Sequence, residues 1–234
     1  MLALEYFVGG LPAGTLFKLS FDDLNNIVDI SKDDKEVFGL NPTAEVCLIG
    51  LVSYFEAFCK NKFASLINIC PAILDNFIKR RPDINISVND LLIIDSYSKN
   101  MIGFLLAEKL DFGSAKTINN IFYDLLQISI FSNDEAKDYN HLLIDRNLIV
   151  HHAGIYTLKY HRHRIVKKRS RHRAFYDSLI IKKRDFKKWA AFIEKLVIKV
   201  INISYKALKD FTQNEKIKLS KENKKALEYL QWYE

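Results

Sequence analysis

The chain has 234 residues, of which 49% are hydrophobic and 12% aromatic, so it can bury a sizeable core and is not globally disordered. It contains 8 Gly and 4 Pro, a scarcity that argues against a turn-rich β-sandwich and favours long helices. The net charge of +7 is unevenly placed, because residues 1–160 hold 14 Lys and Arg against 20 Asp and Glu, whereas residues 161–188 hold 12 against 2.

The N-terminal third is predicted to contain a hairpin followed by helices. Residues 1–20 have two β-favouring runs around a Gly- and Pro-rich turn, the pattern of a β-hairpin. Residues 21–30 are predicted to form a short helix, and helical spacing of apolar residues resumes at Thr43. Pro71 suits the first turn of the next helix, which should end at Arg81-Pro82.

Further helices are predicted along the rest of the chain. One covers residues 87–110, and another begins after the capping residue Ser114. A third covers residues 133–152, with Gly154 as its C-terminal stop. Residues 155–160 are predicted to be extended.

The last part of the chain combines a short strand with two helices. Residues 178–181 are predicted to form the strand. Asp185 should cap a long amphipathic helix, and Ser220 should cap the last one. The fold class is therefore mainly α.

Two patterns bear on the compartment. We expect no membrane association, because apolar runs stay below the roughly 18 residues that a spanning helix needs, and the first ten residues lack the basic start of a signal peptide. Cys47, Cys59 and Cys70 have no Cys-x-x-Cys spacing and are predicted to be reduced, buried thiols. Both patterns favour a cytoplasmic protein.

The segment that suggests chemistry is Arg146-Asn147-Leu148-Ile149-Val150-His151, at the end of a predicted helix. Asn147 and His151 are four residues apart and share a helix face. Arg146 lies about 140° around the helix from His151, so both can border one groove without touching.

This spacing resembles the motif of the HEPN family (higher eukaryotes and prokaryotes nucleotide-binding domains): Arg, a polar residue, three further residues, then His. The layout is also similar over residues 43–206, with a helix containing residues 54–58, the motif closing a later helix, then a loop, a short strand and a long helix. The resemblance implies a HEPN-type helical bundle. Residues 1–36 would form an N-terminal hairpin and short helix, residues 37–210 the HEPN-like domain with a basic insert at 161–176, and residues 211–234 a C-terminal helix.

The resemblance also implies an activity and partners. Family members that cleave RNA are metal-independent endoribonucleases, often toxins or antiviral defence effectors, so an antitoxin or other regulatory protein is an expected partner of this chain. Their site typically forms in a homodimer where two motif helices meet. Other members have lost catalysis and serve as RNA-binding or protein-interaction modules, and that alternative stays open for this chain.

The side chains fit RNA cleavage by attack of a 2′-hydroxyl on the adjacent phosphate. An imidazole exchanges protons near neutral pH, so His151 can act as base or acid. Arg146 can bind the charged phosphorane, and Asn147 can orient His151 or bind a phosphate oxygen. No cofactor or metal is needed. The expected products are a 2′,3′-cyclic phosphate and a 5′-hydroxyl.

Other interpretations of these residues remain. Cationic side chains in a last helical turn often only offset the helix dipole, which would account for His151 and His152 alike. Otherwise His152 supports the site or caps the helix. Glu56 is either a solvent-facing residue, or it faces the motif helix and pairs with Arg146.

The basic insert follows the motif closely and is predicted to bind RNA. Phosphate neutralisation by such a segment gives affinity without sequence preference, and the neighbouring Tyr156 and Tyr160 can stack on unpaired bases. The alternative is a solvated loop or a patch for an acidic protein. The histidine spacing fits no zinc site, so no metal is expected. The predicted RNA-binding residues are Arg162, Arg164, Lys167, Lys168, Arg169, Arg171 and Arg173.

Overall fold

The computed structural model describes residues 2–35, 39–84, 101–163 and 178–233, and for residues 161–163 it describes the backbone alone. The chain is mainly helical, as predicted. Two 3-10 helices, Ala3–Tyr6 and Val8–Gly10, open it, and a third, Pro71–Ile73, precedes α3. The α-helices are α1 (Ala13–Ile30), α2 (Pro42–Ile69), α3 (Leu74–Arg80), α4 (Ile102–Glu108), α5 (Ala115–Leu126), α6 (Asn133–His152), α7 (Leu158–His163), α8 (Lys183–Asn214) and α9 (Lys221–Tyr229).

The predicted N-terminal hairpin is wrong. Residues 3–10 form 3-10 turns closed by local hydrogen bonds, such as the one from the Phe7 amide to the Leu4 carbonyl at 3.1 Å. Tyr6 and Phe7 are buried. Aromatic side chains favour strands because strands pack them well, and here the 3-10 turns bury them without a strand. After Pro12 the chain enters α1 directly, and α1 extends the predicted helix at residues 21–30 back to Ala13.

The β elements predicted before the long helix are also not formed as strands. Within the described ranges, β-structure is limited to one antiparallel bridge between Ile155 and Ser178. The Leu179 amide donates to the Gly154 carbonyl at 2.8 Å beside it. Residues 155–160, predicted to be extended, turn instead into α7.

Several helix ends are confirmed. Ser114 accepts a hydrogen bond from the Thr117 amide at 3.2 Å in a capping box, and Ser220 caps α9 through the Asn223 amide at 3.1 Å. α3 ends just before the predicted stop at Arg81. The predicted cap at Asp185 is not the first residue of α8. The helix begins at Lys183, and the Asp185 carboxylate accepts the Lys182 amide hydrogen at 3.1 Å from within the first turn.

Packing divides the chain into two compact units. The first contains residues 1–20, 55–132 and 195–234, and the second contains residues 21–54 and 133–194. Segments of the two units alternate along the chain, because the units are defined by packing and not by sequence order. The domain boundaries predicted from the sequence stay a prediction.

The core of the first unit is rich in phenylalanine. The Phe63 ring of α2 lies 5.3 Å from Phe77, 5.9 Å from Phe112 and 6.5 Å from Phe122, measured between ring centroids. The inclined rings match the preferred aromatic geometries, each worth about 0.5–1.5 kcal/mol beyond burial. These contacts join α2 to α3, α5 and the segment before α5.

By length and composition, α2 is one helix in the described ranges that is apolar enough to cross a membrane. The lengths of the apolar runs in the sequence predict no such helix. Core helices of folded proteins pass the same test, and Leu51, Phe55 and Phe63 of α2 are fully buried within the protein. No conclusion about a membrane follows.

All three cysteines are free and buried, as predicted. Burial raises the pKa of the Cys47 and Cys70 thiols, and it raises that of Cys59 well above its usual value, with Glu56 adding to the effect. Thiols held in the neutral form are poor nucleophiles. The cysteines are therefore core residues.

In the second unit, the end of α1 is fastened to the first turns of α8. The Lys187 ammonium lies 2.8 Å from the Asp29 carboxylate, and Lys183 donates to the Asp29 carbonyl at 2.6 Å. These pairs are exposed, so each contributes little to stability. They fix the position where α8 begins.

Candidate functional site

The motif lies on the last turns of α6, at the end of a helix, as predicted. α6 buries one face through residues spaced three apart, Tyr139, Leu142, Asp145 and Leu148. The helix ends at His152 because the backbone of Ala153 (φ 47°) and Gly154 (φ 78°) is left-handed. The Gly154 amide then donates to the Leu148 carbonyl at 3.2 Å, a hydrogen bond that spans seven residues and closes the end of the helix. Gly154 is therefore the predicted stop.

α7 folds back on α6 and is held there by a buried pair. Thr157 caps α7 by accepting the Tyr160 amide hydrogen at 3.1 Å. The Tyr160 hydroxyl donates to the Asp145 carboxylate at 3.0 Å, and Tyr160 and Asp145 are 6% and 2% exposed. Asp145 immediately precedes Arg146, so this hydrogen bond sets the position of the motif.

Tyr160 is not free to stack on a base, in contrast to the expectation from the sequence. Its ring already stacks on Tyr156, with centroids 4.8 Å apart and planes at 15°. Its hydroxyl is bound to Asp145. Tyr160 supports the site.

Tyr160→Phe is expected to lower the free energy of unfolding by about 1–3 kcal/mol, because the buried Asp145 carboxylate loses a hydrogen-bond donor. Urea unfolding measures the change. The matched control is Tyr123→Phe, which removes the hydroxyl of a half-exposed tyrosine of α5 and should change stability by less than about 0.5 kcal/mol. Equal effects of the two variants would show that Tyr160 does not hold α7.

A cavity of about 290 Å³ lies between the end of α6 and α7. The side chains of Asn147 and His151 both border it, one turn apart on α6. His152 adds a second imidazole, and Lys159 of α7 adds an ammonium group. The lining contains no carboxylate. The full lining is Ile144, Asn147, Leu148, His151, His152, Thr157, Lys159 and Tyr160.

Arg146 does not line the cavity but is hydrogen-bonded to Asn147, which does. The Arg146 Nη1 donates to the Asn147 side-chain oxygen at 2.9 Å. That bond occupies the amide oxygen of Asn147 and leaves its NH₂ group to donate. The Nε of Arg146 is buried without a hydrogen-bond partner among the described residues, an arrangement that costs free energy until an acceptor arrives.

The remaining predicted residues are not brought to this cavity by the described part of the chain. Glu56 lies on α2 in the first unit and is half-buried, and its pairing with Arg146 stays a prediction. The backbone of Arg162 belongs to α7, but its side chain is not described. Arg164, Lys167, Lys168, Arg169, Arg171 and Arg173 lie outside the described residues.

A second cleft of about 300 Å³ borders another side of α6. Asp138, His141 and Asp185 line it together with Trp189. In the ranges that the structure describes, no three His, Cys, Asp or Glu side chains are grouped so that they could hold a metal ion. The cavity at the end of α6 is the candidate site, since the motif residues Asn147 and His151 line it.

The fold and the site define a class: a helical protein that presents imidazole, carboxamide and ammonium groups in a cavity at the end of one helix. No family model, curated protein or solved structure matches the chain.

Proposed function

We propose that the chain is a metal-independent endoribonuclease of the HEPN type that cleaves single-stranded RNA in the cytoplasm. The observation that carries the proposal is the cavity in which Asn147 and His151 lie together, with Arg146 bound to Asn147. These side chains are the three members of the Arg-Asn-x-x-x-His motif. By the same resemblance, the protein acts as a toxin or antiviral effector restrained by an antitoxin or regulatory protein.

The reaction uses groups at the cavity. His151 takes the proton from an RNA 2′-hydroxyl as its oxygen bonds to the adjacent phosphorus. The bond from phosphorus to the 5′-oxygen breaks, and that oxygen takes a proton from a second acid, for which His152 or a second copy of His151 is available. Lys159 and the Asn147 amide face the phosphorane charge, and Arg146 acts on that charge through its hydrogen bond to the Asn147 side-chain oxygen.

Exposed apolar side chains in the segment that contains the cavity residues support a homodimer. Val150, Ile155 and Leu158 are 45%, 60% and 79% exposed within nine residues of chain. A second copy related by two-fold symmetry would cover these residues and bring a second motif helix to the same place. We therefore propose a homodimer with α6 at its interface.

Leu158→Asp is expected to weaken the dimer by at least about tenfold, because it places a charge in an apolar interface. Light scattering behind a sizing column, over a concentration series, measures the mass. Ile30→Asp is the control, since Ile30 is 84% exposed on α1 and carries the same change away from the cavity. A Leu158→Asp protein with the mass and concentration dependence of the parent would remove the proposed interface.

One observation favours a second candidate, a non-catalytic HEPN-like module that binds RNA or a protein. Arg146 does not line the cavity and its guanidinium bonds to its own neighbour, so the motif as it stands does not present all its groups to a ligand. In that case His151→Ala would leave RNA binding and the cellular phenotype unchanged.

Cleavage in the absence of metal tests the proposal. The purified protein is incubated in EDTA with a labelled single-stranded RNA and with a 2′-O-methyl strand of the same sequence. Cleavage of the first strand and not of the second is expected, because the methyl group blocks the nucleophile. If varied RNAs stay uncut, the non-catalytic module becomes the better account.

A further inference from the structure

A cationic cleft lies in the first unit, where α8 ends and α9 begins. Its volume is about 630 Å³, and four lysines, Lys209, Lys216, Lys218 and Lys224, contribute to its lining. Gln213 adds a neutral hydrogen-bonding group, and apolar side chains lie between the lysines. The lining contains no Asp or Glu. We call this surface the lysine cleft.

A short, hydrogen-bonded turn sets the position of the lysines. The Ile217 amide donates to the Thr212 carbonyl at 2.9 Å, and the Lys216 amide donates to Gln213 at 3.2 Å. Lys216 has a left-handed backbone, with φ 52°, which costs a non-glycine residue roughly 1 kcal/mol. Ser220 then starts α9, so the turn brings Lys216 and Lys218 to face the cleft from between the two helices.

The charge in the lysine cleft is not neutralised by its surroundings in the described part of the chain. None of the four ammonium groups has a carboxylate within ion-pair distance there, and Lys209 contacts only the Tyr205 ring, 5.8 Å from its centroid. Asp210, Glu215 and Glu222 are close in sequence but do not line the cleft. Four like charges around one concavity repel each other unless an anion binds between them.

We propose that the lysine cleft binds the phosphodiester backbone of a nucleic acid, at a place separate from the candidate ribonuclease cavity. The lining cations are all lysines, compact point charges on flexible stems that suit phosphates along a strand. No arginine borders the cleft, so binding there would rest on neutralisation by point charges and not on bidentate recognition of one group. Its concave shape favours a strand over a flat membrane surface.

The binding test separates the cleft from general surface charge. Two full-length variants are compared with the parent: Lys209→Gln, Lys216→Gln, Lys218→Gln and Lys224→Gln together, and a control with Lys195→Gln, Lys206→Gln, Lys221→Gln and Lys225→Gln. The control lysines are exposed on α8 and α9 outside the cleft, so both variants lose the same charge. Binding of a labelled 2′-O-methyl single strand is followed by anisotropy over a salt series, so no cleavage is involved.

The cleft variant should bind about tenfold or more weakly. The slope of the logarithm of its binding constant against the logarithm of salt concentration should decrease in magnitude by about 3, since each lost phosphate contact contributes about 0.7 for a single strand. The control should lose less than about threefold. Equal losses in both variants, or no loss in the cleft variant, would overturn the proposal. So would unchanged strand binding with lost binding to phosphatidylserine vesicles, which would assign the cleft to a membrane. None of these outcomes depends on the ribonuclease proposal.

Discussion

His151→Ala is expected to lower the single-turnover rate of RNA cleavage by about 10² to 10⁴-fold, the range for removal of a proton-transfer group. His151 lines the cavity and stands one helical turn from Asn147, whose oxygen is held by Arg146. The exposed side chain lies at the end of α6, so its loss should leave the fold intact. Rates are measured with labelled RNA at saturating protein.

The matched control is His141→Ala. His141 is on the same helix and half-buried, but it lines the second cleft and not the candidate cavity. Its removal should change the rate by less than about threefold, within the range of a surface substitution. If both histidine variants lose activity equally, the loss reflects α6 itself and not proton transfer at His151.

Lys62 gives the largest expected effect on stability. This lysine lies in the middle of α2, is 1% exposed, and donates from Nζ to the Leu230 carbonyl at 2.6 Å. Burial lowers the pKa of Lys62 from 10.5 to about 7. Between these two values the unfolded chain holds a proton that the folded chain has released. The free energy of unfolding should therefore rise with pH across that window and be lowest, with respect to this group, below about pH 7.

The prediction is tested by comparison with Lys62→Met, which keeps an unbranched apolar chain of nearly the same length and removes the amine. The free energy of unfolding of the parent minus that of the variant should increase with pH by up to about 1.4 kcal/mol per unit above pH 7, toward roughly 5 kcal/mol in full. All other titrating groups cancel in the difference. Urea unfolding at several pH values measures it, and parallel pH profiles would show that Lys62 titrates normally in the fold.

Helix ends could be predicted because their signals are local. Ser114 and Ser220 each cap a helix through the amide three residues on, and Gly154 ends α6 with a backbone that favours glycine. The N-terminal hairpin failed for the opposite reason. Whether Tyr6 and Phe7 pair in a strand or are buried from a 3-10 turn depends on distant residues, and in this protein the Tyr6 hydroxyl donates to Asn223 at 3.0 Å.

The candidate site was predicted in part. The spacing of Asn147 and His151 on a helix placed both beside one cavity, but it did not reveal Lys159 or the pair of Asp145 with Tyr160. The positions of Lys159 and Tyr160 depend on α7 turning back over α6. For residues 155–160 the sequence predicts an extended segment instead. Asp145 did leave a signal, because it is a charged residue three positions from both Leu142 and Leu148 on the apolar face of α6.

The chemistry of the RNA ends tests the central claim most directly. Single-stranded RNA cut by the parent protein in EDTA is analysed by mass spectrometry. Attack by the 2′-hydroxyl, assisted by His151, predicts a 2′,3′-cyclic phosphate on one fragment and a 5′-hydroxyl on the other. A 3′-hydroxyl with a 5′-phosphate would mean that water was the nucleophile and would contradict the mechanism.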